Sequence, residues 1–156
     1  NIRFPLYSTR MHHGKFCSAI LNSRIKRKAV LKVLIADDSS IMRRRLMDRV
    51  GELEGVEAVF EACDFGQTME GLSGDRLDVL ILDIRMPGGS GIDVLKAMED
   101  DIRPYTVIVF TNYAYPQYHE KCMTLGADYF FDKSIDIEKI VEVVRGCRVF
   151  GENTGV

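Results

Sequence analysis

Five short apolar runs, each followed by a stretch of helical periodicity, constrain this chain more than any other feature of its sequence. Val33–Ala36, Val56–Ala62, Val79–Leu82, Thr106–Phe110 and Tyr129–Phe131 have the composition and length of strands. Between and after them, Ile41–Leu53, Gln67–Leu72, Ile92–Glu99, Pro116–Leu125 and Ile137–Phe150 read as helices. Ser39 or Ser40, Ser90, and Ser134 or Asp136 are candidate N-caps. In the last helix Ile137, Ile140, Val141, Val144 and Cys147 repeat on one face. Pro116 suits a first turn, where its missing N–H costs nothing. Strands without polar alternation are covered on both faces, so the expectation is a doubly wound α/β fold: a five-stranded parallel sheet with helices on both sides.

Charge divides the chain unevenly. Residues 1–32 hold eight Lys/Arg and no Asp/Glu, so the remainder carries 13 basic against 23 acidic side chains behind a net charge of only -2. The expected organisation is a basic, flexible extension over 1–31, a folded domain over 32–150 and a short tail over 151–156. A basic cluster such as RIKRK can touch nucleic acid or an anionic membrane through charge alone, but a solvated extension is the simpler reading. His12-His13 within it read as solvated rather than as metal ligands. With 46% apolar residues, a chain of 156 can form a core without staples. Cys17, Cys63, Cys122 and Cys147 form no C-x-x-C pair, which argues against zinc and against a disulfide framework. No apolar run reaches the roughly 20 residues of a membrane span, so a cytoplasmic protein is expected.

Ligands of such folds bind beyond the carboxyl ends of the strands, near the point where strand order reverses. There the sequence places Asp37-Asp38 after the first strand, Asp83 after the third, Thr111-Asn112 after the fourth and Lys133 after the fifth. Three gathered carboxylates repel one another and need a cation to stay ionised together. An oxygen-only set suits a hard divalent ion, Mg²⁺ above all. A hydroxyl and an ammonium beside it supply what a phosphoryl group requires, so an Asp there can itself be the nucleophile that forms an acyl phosphate.

The segments VLIADDSSIMRR, LDVLILDIRMPGGSGIDVL, VIVFTN and GADYFFDKS, in that order and spacing, resemble the response-regulator receiver domain of two-component signalling across residues 33–150. The resemblance implies that Asp83 is the phosphoacceptor, served by a histidine kinase or histidine phosphotransfer protein. It implies Mg²⁺ held by Asp38, by Asp37 through water, by Asp83 and by the carbonyl of Arg85. Thr111 and Lys133 would hold phosphoryl oxygens, and Phe130 would be the switch aromatic that packs inward with Thr111. Phosphotransfer would be self-catalysed, with slow autodephosphorylation. The face around the fourth helix, fifth strand and fifth helix would meet a downstream protein target, with homodimerisation there as a further outcome. A stand-alone receiver is expected, with no nucleic-acid contact from the receiver domain itself.

Three positions depart from the commonest receiver pattern. Ser134 follows Lys133 where Pro usually forms a cis bond, and a cis non-prolyl bond costs about 2.5–4 kcal/mol, so a different loop should place the Lys. Asn112 stands where a small Ala or Ser is usual, which should restrict attacking water and lengthen the life of the phosphoprotein. Arg85 and Tyr113 also border the expected site. Phe130 lacks a tyrosine hydroxyl but can still switch by packing. His119 is expected on an exposed helix face outside the site, and Arg43-Arg44-Arg45, spread over one turn, need no special partner, a border of a kinase-docking surface being the alternative reading.

Other function classes fit less well. A flavodoxin-like cofactor binder needs a donor-rich loop after the first strand, where Asp37-Asp38 would repel phosphate. A metal-dependent phosphatase that forms an aspartyl-phosphate usually carries its nucleophile after the first strand, whereas here the candidate follows the third. A receiver-shaped module that is never phosphorylated would have no need of all five polar positions.

Overall fold

The computed structural model describes residues 30–74, 76–99 and 105–147. Five strands form one parallel sheet: β1 (Leu31–Ala36), β2 (Val56–Ala62), β3 (Val79–Leu82), β6 (Thr106–Thr111) and β7 (Tyr129–Asp132), in the order β2-β1-β3-β6-β7. The helices are α1 (Ser40–Gly51), α2 (Phe65–Leu72), α3 (Gly91–Ala97), α4 (Pro116–Thr124) and α5 (Ile137–Gly146). The expected doubly wound architecture is therefore present, with helix and strand limits moved by a few residues. The last helix, expected to reach Phe150, ends at Gly146, where Cys147 is already extended. The 151–156 tail, the His12-His13 pair and all but the last two residues of the expected 1–31 extension lie outside the described residues.

The apolar strands divide their side chains between two cores. Leu80 and Leu82 pack with Leu34, Val107 and Val109 against Val94, Leu95, Cys122 and Leu125 of α3, α4 and the turn after α4. Val79 and Ile81 pack with Val33, Ile35, Ile108 and Phe110 against Leu46 and Val50 of α1 and Ile140, Val141 and Val144 of α5. Central strand β3 is buried throughout, which explains why it shows no alternation. Each fully buried aliphatic side chain contributes about 1.5–3 kcal/mol.

Local chemistry fixes where the helices begin. Ser39 caps α1 by accepting from the Met42 N–H, and Ser90 forms a capping box with Asp93 at α3. Hydrogen bonds from Ser90 hold the Asp93 carboxyl below the usual carboxylate range. Asp136 precedes α5 without a side-chain capping bond. Between β3 and α3 the sequence suggested only a turn. The structure has a two-residue antiparallel pair, β4 (Arg85–Met86) with β5 (Gly89–Ser90), closed by Pro87 and by Gly88 at φ +79°. Gly91 then passes so close to the Asp83 backbone that a Cβ would overlap the Asp83 carbonyl oxygen. Both glycines bring the chain away from Asp83 without crowding it.

Burial pushes the Cys122 thiol up to about 11, so it behaves as a core side chain. Among the described residues, no helix is long and apolar enough to cross a membrane.

Candidate functional site

The sheet changes direction between β1 and β3: the chain runs from β1 outward to β2, then returns to the other side of β1. Ala36 and Leu82 are register partners, and the Asp83 N–H donates to the Ala36 carbonyl at 2.8 Å. Asp37 and Asp83 therefore leave the sheet side by side. On the far side of β3, Thr111 pairs with Asp132, and the Lys133 N–H donates to the Thr111 carbonyl at 3.0 Å. Register alone brings four of the predicted polar residues to one rim.

Lys133 is the centre of that rim. Its Nζ lies 2.6 Å from Asp37 Oδ2 and 2.6 Å from Asp83 Oδ2, and all three side chains are buried. The cation that the clustered carboxylates require is thus partly supplied by the chain itself. Burial pushes the Asp37 carboxyl upward despite the opposing hydrogen bond and charge of Lys133. The Ser39 N–H donates to Asp37 Oδ1 at 2.9 Å and fixes that carboxylate's second oxygen.

Asp83 differs from Asp37 at its free oxygen. Oδ1 of Asp83 is buried and has no hydrogen-bond partner; the same holds for Oδ1 of Asp78, just before the same strand, but only that of Asp83 belongs to a residue in the carboxylate cluster. Asp37, Asp38 and Asp83 each present an oxygen within 4.8 Å of the other two, with Asp38 exposed to solvent. Three ionised carboxylates against one ammonium leave two negative charges, and the donors are all oxygen. That set fits a divalent, hard cation such as Mg²⁺.

Thr111 is fully buried, and its Oγ1 accepts from the Tyr113 N–H at 3.2 Å, so the hydroxyl proton remains available for donation. Arg85 is exposed at the rim, with its guanidinium 4.5 Å from the centroid of the Tyr113 ring. Asn112 is exposed between Thr111 and Tyr113. Phe130 is half-buried and meets His119 edge-on, with 5.1 Å between ring centroids. His119 is solvent-exposed as expected, but it is in contact with the aromatic that the sequence nominated as a switch.

The loop that carries Lys133 is held without a cis bond; no cis peptide occurs among the described residues. Asp132 Oδ1 accepts from both the N–H (2.8 Å) and the hydroxyl (2.6 Å) of Ser134. Those bonds hold the Asp132 carboxyl below the usual range. The different loop geometry expected at Ser134 is this turn closed by Asp132.

Arg43 makes contacts within the chain that were not foreseen from the sequence: it donates through Nη1 to the carbonyls of Asp37 (2.8 Å) and Asp38 (3.2 Å), and through Nε to Glu61 Oε2 (3.0 Å). The signal was available in the periodicity: Arg43 lies three and seven residues before the buried Leu46 and Val50, on the inward stripe of α1.

The response regulator receiver domain matches the chain over residues 33–145. The protein-glutamate methylesterase/protein-glutamine glutaminase of Clostridium acetobutylicum is 30% identical over 80% of this chain and 38% of that protein. Sporulation initiation phosphotransferase F of Bacillus subtilis is 32% identical over 73% of this chain and 90% of that protein. The chain spans about half the length of several other curated relatives it matches. A DNA-binding response regulator of the LuxR family from Staphylococcus aureus superposes with a TM-score of 0.69 at 26% identity, covering 75% of this chain and 98% of that one.

Proposed function

Because the chain belongs to the response regulator receiver domains of two-component signalling, we propose that Asp83 is its phosphoacceptor. The observation that carries this reading is the buried, unpartnered Oδ1 of Asp83 beside the Lys133 ammonium. That oxygen attacks the phosphorus of a phosphohistidine on a partner kinase or phosphotransfer protein. A P–O bond forms, the P–N bond breaks, and the imidazole nitrogen keeps the electron pair and takes a proton.

Lys133 holds a phosphoryl oxygen from the position it already occupies against Asp83 Oδ2, and the Thr111 hydroxyl donates to another. Asp37, Asp38, Asp83 and the Arg85 carbonyl would hold Mg²⁺, which when bound supplies positive charge against the phosphoryl oxygens. Water later attacks the phosphorus and the Asp83 carboxylate leaves. The Arg85–Tyr113 stack and Asn112 at the rim support a slow hydrolysis, because they narrow the approach of that water.

As Thr111 turns toward the phosphoryl group, Phe130 moves further inward and changes the face built from α4, β7 and α5. That face exposes Tyr115, Met123 and Tyr129 to a downstream protein partner or a second copy. In this reading residues 32–150 are the receiver unit, preceded by a basic extension, and work in the cytoplasm.

Acetyl phosphate with Mg²⁺ tests the reading. Intact mass should rise by one phosphoryl group in the wild type and not in Asp83→Asn. An equal gain in both proteins, or none in either, overturns it.

A further inference from the structure

We infer that Arg43 is a positioning residue for the cation-binding loop, held in place by Glu61. The inference rests on the reading of Asp37, Asp38 and Asp83 as the cation site and adds to it how two of those residues are aimed.

The Arg43 side chain is only 14% exposed and meets the loop at its backbone carbonyls, not at its carboxylates. Its two bonds to the Asp37 and Asp38 carbonyls set two successive peptide planes, 37–38 and 38–39. A fixed peptide plane also fixes where the next side chain departs. With the Asp37 N–H held by the Ala62 carbonyl at 3.1 Å and Asp37 Oδ1 held by the Ser39 N–H, the fork completes the constraint on this turn. Asp38 needs it most, because its carboxylate is exposed.

Glu61 pairs with the guanidinium at 3.0 Å, and its charge both aims the fork and offsets the positive charge beside the cation site. A planar guanidinium can serve two carbonyls and a carboxylate at once; an ammonium is a point charge that cannot reproduce that fork. Glu61 belongs to edge strand β2, so the loop is braced from β2 through α1 to the metal carboxylates. Residues behind a metal's own ligands typically contribute a factor of about 10–100 in affinity.

The test is a Mg²⁺ titration of the full chain, followed by backbone amide shifts, in the wild type, Arg43→Lys, Glu61→Gln and Asp38→Asn. Melting in EDTA is measured for each. Arg43→Lys should bind Mg²⁺ about tenfold more weakly or worse. Glu61→Gln should lose several-fold, with a melting temperature close to wild type. Glu61→Gln keeps the guanidinium and removes only the charge of its orienting partner, so it decides the matter if Arg43→Lys fails to fold. An affinity within twofold of wild type in a folded Arg43→Lys, or in Glu61→Gln should the first not fold, overturns the role of Arg43 alone. A lowered melting temperature with unchanged affinity does the same. A wild type that takes no Mg²⁺ overturns the site itself, and the inference with it.

Discussion

Aspartates occupy both ends of this sheet, and they are treated in opposite ways. At the amino end, Asp78 Oδ2 accepts from the Lys32 N–H at 2.9 Å, and Asp128 Oδ2 accepts from the Val107 N–H at 2.8 Å. Each carboxylate there takes a backbone donor from a neighbouring strand and ties a connection to the sheet. At the carboxyl end, Asp37 and Asp83 share one lysine, and Asp83 keeps a buried oxygen with no donor. Asp78 and Asp83 each keep a buried Oδ1 without a hydrogen bond; the other oxygen of Asp78 is tied to a strand N–H and that of Asp83 to the Lys133 ammonium, so the first is mortar and the second a reagent beside a cation. Parallel strands produce this division, since their polar ends gather at the switch point between β1 and β3.

The largest expected effect removes the reagent. Asp83→Asn should abolish phosphoryl uptake from acetyl phosphate while leaving the fold intact, as read by intact mass and circular dichroism. Uptake that persists at another carboxylate would break the contrast between the two ends.

The opposite end should respond in stability instead. Asp78→Ala removes the acceptor for the Lys32 N–H and a 3.7 Å ion pair with Arg76. It should cost about 1.5–3 kcal/mol in urea unfolding, the usual range for a hydrogen bond to a charged group. The Asp83 phosphorylation rate in the folded fraction should not change.

A smaller effect of opposite sign is expected at Asp37. Because burial raises its carboxyl pKa in the folded protein, ionising it opposes folding. That cost is absent when the group is protonated in both states, and it appears as pH rises from the ordinary value of 3.8 through the raised folded value. Asp37→Asn should therefore melt higher than the wild type in EDTA at neutral pH, and the difference should close as pH falls to about 4. A lower melting temperature at neutral pH would show that the contact with Lys133 outweighs burial.

The smallest effect concerns the rim. Asn112→Ala should shorten the life of the phosphoprotein several-fold, which is about 1 kcal/mol in barrier. An unchanged or longer lifetime would remove Asn112 from the account.

How much of this was legible depends on range along the chain. The unbroken strands, the amphipathic last helix and the residues that follow each strand were readable, because period and position are local properties. The register that sets Asp37 against Asp83, and Thr111 against Lys133, follows from the sheet once its order is known. The bridge from Lys133 to two carboxylates was less readable, since it depends on a side chain reaching across two strand ends. The internal contacts of Arg43 went unread because a charged triplet invites a reading as surface, although its spacing from Leu46 and Val50 pointed inward. The β4–β5 pair is too short to carry a period, and Asp132's hold on Ser134 is a local turn visible only once the strand's end is placed. His119 was placed correctly on a surface, yet its contact with Phe130 joins α4 to β7 and has no sequence signal.

The place where the protein responds to a phosphoryl mimic separates the two ends of the sheet most directly. With Mg²⁺ and beryllofluoride, backbone amide shifts should concentrate at Asp37, Asp38, Asp83, Thr111 and Lys133, extend to Phe130, and leave Asp78 and Asp128 in place. Asp83→Asn should remove the response. Shifts centred on the amino end of the sheet, or no shifts at saturating mimic, would contradict the central claim that only the carboxyl-end aspartates form a phosphoryl site.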